Sequence, residues 1–306
     1  MPVLSGAEGP APIRTEDPNR SRAQDLFLRV LTAVVGIPII VAVVLIGGVL
    51  FAAVAAVILM LAVLEFYAAT DPETGVPARA HPRLRRSVPS LFGQRLPAFA
   101  GCAGVLLITA AAYDGIDELT GALVLAIAAV FLLLVLQGDV QTGLRDWLWV
   151  IGGVAYIGFL GAHLVLLRDL DDDGDWVLVA VFATFAADTA AYFVGRAFGR
   201  TRITPAISPG KTLEGSIAGL IAGFVAVFAL VWATGLDVDE LEILPLAALL
   251  PVAAIIGDLA ESLIKRGAGV KDASEIVPGH GGFLDRLDSV LLTTPLVYYY
   301  LIWIIL

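Results

Sequence analysis

Nine long apolar stretches limit what this chain can fold into. A helix needs about 20 apolar residues to cross the roughly 30 Å hydrocarbon core of a bilayer, and each stretch approaches that length. We therefore predict an all-α, polytopic membrane helical bundle with about nine transmembrane helices. The stretches are residues 27–47, 49–69, 95–112, 120–137, 146–167, 176–198, 212–234, 243–264 and 289–306.

The composition favours one membrane domain over several soluble ones. Of the 306 residues 58% are hydrophobic and 16% are charged, whereas soluble domains have about 25% charged residues. We expect residues 27–306 to form a single transmembrane domain. A second apolar stretch follows the first at once, which favours a retained anchor over a cleaved signal peptide. Residues 1–26 are rich in Pro, Gly, Ser and charge, which predicts a disordered cytoplasmic tail.

The charges are segregated by side. With the N-terminus in the cytoplasm, Arg168 is the only one of the 19 Lys and Arg residues that falls outside, as the positive-inside rule requires. Residues 114–118, 169–175 and 237–242 are then acidic outer loops, which we interpret as solvated. The run at 171–175 lacks the Glu at the twelfth position of an EF-hand, so calcium binding is not expected. The single cysteine, Cys102, excludes an intrachain disulfide.

The first polar cluster lies at the end of the sixth stretch, in DTAAYFVGRAFG at 188–199. Thr184, Asp188, Tyr192 and Gly195 follow the three-and-four spacing of one helix face. Because a carboxylate at the centre of a membrane helix costs about 2.5–3.5 kcal/mol, we expect Asp188 to face the bundle interior or water. A stripe that only packs helices is the alternative.

The second cluster is ISPGKTLEG at 207–215, between the sixth and seventh stretches. Pro209 and Gly210 should end one helix, and Lys211, Thr212 and Glu214 should open the next. Backbone N–H groups at a helix N-terminus with a nearby lysine suit a phosphate. The first glycine of a Walker motif is missing, so this segment is not a P-loop. An ordinary capped helix start remains the alternative.

The third cluster covers residues 257–289. Asp258, Glu261, Ser262 and Lys265 should share one helix face that reaches the inner membrane surface. With the orientation above, all three clusters lie at the cytoplasmic ends of neighbouring spans. This convergence predicts a catalytic C-terminal part at about 184–290.

Beyond that helix, the glycines and proline at 278–282 predict an irregular loop around His280. Asp285 and Asp288, one helical turn apart, then begin the last span. Paired carboxylates without clustered Cys or His favour a hard divalent cation such as magnesium over zinc. A polar loop with helix-capping acids is the alternative.

The third cluster resembles the phosphatidate cytidylyltransferase family, the CDP-diacylglycerol synthases. The family signature runs S, K-R, K-D, P-G-H-G-G and D-R-x-D in order. Ser274 departs from it, because many members have glycine there, and this affects the expected loop conformation. The matching residues here are Ser262, Lys265, Arg266, Lys271, Asp272, 278–282, Asp285, Arg286 and Asp288.

The resemblance implies that CTP and phosphatidic acid become CDP-diacylglycerol and pyrophosphate, with Mg²⁺ as cofactor. We expect two cations, which would clamp the attacking and leaving oxygens. It implies Asp258 and Asp285 as leading metal ligands, supported by Asp288 and Glu261. The expected catalytic residues are Asp258, Asp285, Lys265, Arg286 and His280. The expected substrate contacts are Asp188, Ser208, Lys211, Thr212, Arg266 and Lys271.

Two other classes of function remain open from the sequence. One is another membrane enzyme that handles CTP, such as a CTP-dependent polyprenol kinase or an archaeal-type CDP-lipid synthase. The other is an ion-coupled transporter, which would also place carboxylates inside a bundle but on both of its halves. We expect a multi-pass protein of a bacterial inner membrane with its active site facing the cytoplasm. We expect no nucleic-acid partner, and a homodimer is possible.

Overall fold

The structure is a computed structural model that describes Val34 and residues 36–71, 96–270 and 282–306. No β-strand occurs in these residues, which form helices joined by short loops. The helices are α1 (Gly36–Ile46), α2 (Gly48–Thr70), α3 (Leu96–Ala111), α4 (Ile116–Gln137), α5 (Gly143–Arg168), α6 (Asp175–Phe198), α7 (Leu213–Thr234), α8 (Glu240–Gly267) and α9 (Leu284–Ile305).

The prediction of an all-α polytopic membrane bundle is confirmed. Seven of the helices in the described residues are long and apolar enough to cross a membrane, whereas α1 and α3 are shorter apolar helices. Each of the nine predicted stretches corresponds to one helix. The number of crossings and the cytoplasmic N-terminus stay predictions, and the tail at 1–26 lies outside the described residues.

Two helices depart from regular α geometry. Helix α5 contains a π-helical segment at Val154–Phe159, between α-helical parts at Gly143–Gly153 and Leu160–Arg168. Helix α9 starts with the short turn Leu284–Leu287, continues as Val290–Tyr300 and ends in a π-helical turn. A π segment shifts the direction of the side chains that follow it and is frequent at functional sites.

Small residues let α6, α7 and α8 approach closely. A Cβ atom added to Gly215 would lie 2.7 Å from the Ala191 carbonyl oxygen, and one added to Gly219 would lie 2.9 Å from that of Ala187. Gly223, one turn further, meets Pro251 of α8. Glycine at every fourth position brings helix backbones into contact in membranes, where packing rather than hydrophobicity drives association. This contact fixes the relative positions of α6 and α7, which carry the first two polar clusters, and of α8, where the third begins.

Gly219→Ala should lower the stability of the folded protein, although alanine is the better helix former. The methyl group would press on the α6 backbone, a clash that costs about 1–3 kcal/mol. Gly121 of α4 is the matched control, because no atom lies within 4 Å of its added Cβ. Denaturation in detergent should show a lower midpoint for Gly219→Ala and an equal or higher one for Gly121→Ala; equal losses would contradict the α6–α7 contact.

Arg168, the one basic residue assigned to the outer side, is almost fully buried. Its guanidinium donates hydrogen bonds to the carbonyl oxygens of Val44 and Leu45 in α1 and to those of Asp171 and Asp172. The Asp171 carboxylate in turn accepts N–H groups at the start of α6. This part of the acidic loop therefore ties α1, α5 and α6 together and is more than a solvated loop.

Candidate active site

A cavity of about 390 Å³ opens between α6, the 199–212 loop, α7 and α8. Four of the predicted substrate contacts line it, namely Asp188, Ser208, Lys211 and Thr212. The predicted metal ligand Asp258 lines it as well. The structure thus brings residues of all three sequence clusters to one place.

The loop before α7 is held by local hydrogen bonds that fix Lys211. Thr212 has extended backbone geometry and caps α7, its hydroxyl accepting the N–H of Gly215 at 3.2 Å. The Lys211 N–H donates to the Ser208 carbonyl at 3.2 Å, and its own carbonyl accepts from Ile203. The Glu214 carboxylate accepts the N–H groups of Arg200 and Thr201. The expected helix start is confirmed, and the N-terminus of α7 borders the cavity. The expected helix break is wrong in its position, because α6 ends at Phe198 with Gly199 as its C-cap, and Pro209 and Gly210 lie within the loop.

Lys211 and Asp258 form an ion pair in the lining of the cavity. The Lys211 ammonium lies 2.8 Å from a carboxylate oxygen of Asp258 and donates to the Ile255 carbonyl at 3.2 Å. The Ser262 hydroxyl donates to the other Asp258 oxygen at 3.3 Å, one turn along α8. A polyphosphate that enters here meets a positioned ammonium beside a helix N-terminus, which suits anion binding.

A second ionic cluster joins α8 to the start of α9. The Lys265 ammonium lies 2.6 Å from Glu261 and 2.8 Å from Asp285. The three side chains are only 14%, 1% and 15% exposed, so their charges are largely removed from water. Asp285 also accepts the N–H of Gly282 at 2.9 Å. Glu261 Oε1 has no hydrogen-bond donor in the part of the chain that the structure describes.

Asp288 connects the two clusters. The backbones of α8 and α9 touch at Gly257, where an added Cβ would lie 2.6 Å from the Asp288 carbonyl oxygen. As a result the Asp288 carboxylate interacts electrostatically with those of Asp258 and Asp188, and Glu261 with those of Asp288 and Asp285. Four acidic side chains from α8 and α9, with Asp188 of α6, therefore share one region at the same end of the bundle.

Other predicted residues lie at the margin or beyond the described chain. Arg266 is exposed, and its guanidinium donates to the Ile207 carbonyl at 3.2 Å, which ties the end of α8 to the loop before α7. Arg286 is exposed on the first turn of α9. Neither side chain lines the cavity. Lys271 and His280 lie outside the described residues, so their assignments stay predictions.

The structure adds three residues that the sequence analysis did not assign to the site. Arg196 lines the cavity beside Tyr192. Glu65 of α2 is buried and accepts the N–H of Leu284 at 2.8 Å, which holds the start of α9. Tyr156, in the π-helical segment of α5, has a buried hydroxyl that interacts electrostatically with acidic side chains of α8 and α9. Glu65 could have been found from the sequence, because a lone acidic residue in an apolar span indicates a functional position.

The carboxylates are the type of donor that a magnesium ion takes, because hard cations prefer oxygen ligands. As the side chains stand, the described residues contain no group of three or more acidic, histidine or cysteine side chains that could hold a metal ion. Lysine ammonium groups lie against Asp258, Glu261 and Asp285 instead. Metal binding would require these lysines to move toward another anion, such as a phosphate.

Comparison with known proteins gives one consistent result. A model of the cytidylyltransferase family matches residues 27–304. A phosphatidate cytidylyltransferase of Synechocystis sp. is 30% identical over an alignment of 301 positions that covers 90% of this chain and 96% of that protein. One of Pseudomonas aeruginosa is 37% identical over 219 residues, 69% of this chain and 80% of that protein. A phosphatidate cytidylyltransferase of Bacillus subtilis is 35% identical over 147 residues, and the match covers 48% of this chain and 55% of that protein.

Proposed function

The chain belongs to the cytidylyltransferase family, and from this we propose that it transfers the cytidylyl group of CTP to phosphatidic acid. The products are CDP-diacylglycerol and pyrophosphate, so the protein acts in phospholipid biosynthesis. One observation carries the proposal beyond family membership: Lys211, Asp258 and the start of α7 meet in a single cavity. That cavity offers both a cation for phosphate and a carboxylate that can assist its transfer.

The reaction needs no strong general base. A phosphate monoester has a second pKa of about 6, so the attacking phosphatidate oxygen is already largely ionised at neutral pH. This oxygen forms a bond to the α-phosphorus of CTP in line with the bond to the β-phosphate oxygen, which breaks. Pyrophosphate takes the electron pair of that bond. His280 is accordingly proposed as a loop organiser or a hydrogen-bond donor to phosphate, not as the base.

Two lysines should hold and neutralise the phosphates. Lys211 can leave Asp258 for the polyphosphate of CTP while it stays anchored by the loop before α7. Lys265 stands between Glu261 and Asp285, where it can contact the phosphate of either substrate. Once in contact with the phosphates, these cations stabilise the charge that develops in the transition state. Arg266, Lys271 and Arg286 are proposed as further phosphate contacts at the rim, the arginines being suited to bidentate bonds.

Magnesium is the proposed cofactor. The oxygen donors of Asp258 and Asp285 would hold it, with Asp288 and Glu261 in support, and two ions are expected. When bound, Mg²⁺ would offset the negative charge of the polyphosphate at the reacting oxygens. The carboxylates gathered around Asp288 support this assignment, because a bound cation would relieve the repulsion between their negative charges.

The protein is a multi-pass membrane protein, and we place it in the inner membrane of a bacterium with the site on the cytoplasmic side. The distribution of Lys and Arg supports this orientation. CTP would then enter from the cytoplasm, and phosphatidic acid from the bilayer.

The proposal is tested with purified protein and CTP that carries label at either the α- or the γ-phosphate. Phosphatidate and a polyprenol are offered separately, with Mg²⁺ or with a chelator. We expect α-label in a lipid product with phosphatidate only, γ-label only in pyrophosphate, and no product with the chelator. Transfer of γ-label to polyprenol would instead show the kinase alternative.

A further inference from the structure

Glu65 of α2 is a buried carboxylate outside the C-terminal part of the chain that carries the three polar clusters. It is 1% exposed, and residues 48–64 before it in the helix have no polar side chain. A carboxylate in a membrane helix is costly and is kept where it has a partner and a function. An apolar side chain would fill the same space at lower cost, so packing alone does not account for Glu65.

The backbone of α9 provides a partner for Glu65. One oxygen of its carboxylate accepts the N–H of Leu284 at 2.8 Å. The N–H groups of a first helical turn have no acceptor within the helix, and a negative charge is favourable beside them. Leu284 is itself 1% exposed, so water is not at hand to replace the carboxylate. The position of the first turn of α9 therefore depends on where α2 holds Glu65.

Helix α2 holds Glu65 firmly, because two side-chain hydrogen bonds fasten this part of the helix to α5. The Tyr67 hydroxyl donates to the Val150 carbonyl at 2.7 Å. The Trp149 indole N–H donates to the Thr70 hydroxyl at 2.9 Å. Both bonds involve residues of α2 within five positions of Glu65. The carboxylate is thus a fixed point from which the start of α9 is positioned.

Asp285 depends on the same turn, because it follows Leu284 directly in the chain. Its carboxylate lies 2.8 Å from the Lys265 ammonium and accepts the N–H of Gly282 at 2.9 Å. A shift of the turn would lengthen these contacts. A misplacement of about 1 Å can lower a reaction rate about a hundredfold, even when its cause lies far from the reacting atoms.

We propose that Glu65 is a positioning residue for the reaction: by accepting the Leu284 N–H, it places the Asp285 carboxylate against Lys265. This inference rests on the proposed function, because the group that Glu65 places acts there. Glu65 works through Asp285 and not through contact with a substrate. Helix α2, in the N-terminal half of the chain, then takes part in catalysis through one hydrogen bond. A contribution to folding alone is the competing role.

The first test measures kcat and the KM for CTP. Glu65→Gln keeps an oxygen acceptor and should hold kcat within about threefold of the parent, since a neutral acceptor makes the same bond more weakly. Glu65→Leu has no acceptor and should lower kcat about a hundredfold, while the KM for CTP stays as in the parent. Tyr67→Phe is the matched control, because it removes one buried hydrogen bond of the same helix, and it should keep the parent kcat.

Equal losses of kcat in Glu65→Gln and Glu65→Leu, or the same loss in Tyr67→Phe, would overturn the proposal. Glu65→Asp provides the answer if Glu65→Leu does not fold. It keeps the charge but draws the acceptor back by one methylene, and it should lower kcat about tenfold. Parent-like kcat in a folded Glu65→Asp would also overturn the proposal.

The second test asks whether Glu65 acts through Asp285. Residues that act as a unit have effects on kcat that do not multiply. In the Asp285→Asn background, Glu65→Asp should therefore lower kcat little further, because the carboxylate that Glu65 places is already gone. If the two losses multiply in full, Glu65 does not act through Asp285.

The third test does not depend on turnover. Hydrogen exchange of the Leu284 amide is measured in detergent without substrates. Glu65→Leu, or Glu65→Asp in its place, should speed this exchange about tenfold, because a buried N–H group loses its acceptor. Glu65→Gln and Tyr67→Phe should keep the parent rate. Unchanged protection in the variants without the acceptor would overturn the proposal. If exchange behaves as expected but the parent forms no CDP-diacylglycerol, the proposed function fails while the placement of the turn by Glu65 stands.

Discussion

Asp285→Asn should lower kcat for the formation of CDP-diacylglycerol by about a thousandfold. Asp285 is held by Lys265 at 2.8 Å and by the N–H of Gly282 at 2.9 Å, so its carboxylate is positioned before substrates arrive. Asparagine keeps an oxygen acceptor and the side-chain volume but loses the charge. Removal of one preorganised electrostatic group commonly costs about 10²–10³ in kcat, and a proposed metal ligand is lost in the same step.

The measurement is single-turnover transfer of α-label from CTP to phosphatidate, beside Asp239→Asn as the control. Asp239 caps α8 by accepting the N–H of Leu241, and asparagine caps helices equally well. Asp239→Asn should elute and melt like the parent, and Asp285→Asn should elute like it but melt somewhat lower, because Lys265 then keeps only Glu261 as an ionic partner. Parent-like turnover in Asp285→Asn would remove this residue from the chemistry.

Lys265→Met should destabilise the protein by about 3–5 kcal/mol, the cost of breaking a buried ion pair by removing one partner. Lys265 is the cation shared by Glu261 and Asp285, and Glu261 is 1% exposed. Methionine fills similar space, so the loss would come from charge and not from a cavity. The same variant should lose nearly all transferase activity.

The free energy of unfolding in detergent provides the measurement, with Arg145→Met as the matched control. The Arg145–Asp146 pair is 3.1 Å long and joins an arginine that is 43% exposed to an aspartate that is 12% exposed. Water therefore screens it more than the Lys265 pairs, and its loss should cost less. Adding Glu261→Gln to Lys265→Met should recover part of the stability while activity stays lost. If Lys265→Met unfolds like the parent, the α8–α9 ionic cluster does not hold these helices.

The sequence predicted the helices well because the bilayer imposes one length and one polarity on each span. The sixth and seventh stretches, 176–198 and 212–234, match α6 (Asp175–Phe198) and α7 (Leu213–Thr234) to within one residue. Contacts within one helix could be predicted equally well from the sequence, since the four-residue spacing places Ser262 beside Asp258 and Lys265 beside Glu261. The family resemblance stated from the third cluster is confirmed.

Contacts between helices could not be predicted in this way. Lys211 meets Asp258, and Lys265 meets Asp285, only because α7, α8 and α9 pack at particular depths and rotations. The depths and rotations of the helices depend on close backbone contacts such as that at Gly257. The sequence shows a glycine there but not the helix that it contacts. Tyr156 interacts electrostatically with the acidic side chains from a π-helical segment that no regular periodicity indicates.

The most direct measurement is protection of the α6–α8 cavity by CTP. Ser216 lines this cavity, and the natural Cys102 is buried, so Ser216→Cys introduces one accessible thiol. Thr120→Cys, on the exposed first turns of α4, is the control. With Mg²⁺, CTP should slow the alkylation of Ser216→Cys in proportion to occupancy and leave Thr120→Cys unchanged. Alkylation of Ser216→Cys at the same rate with and without saturating CTP would contradict a nucleotide site between these helices.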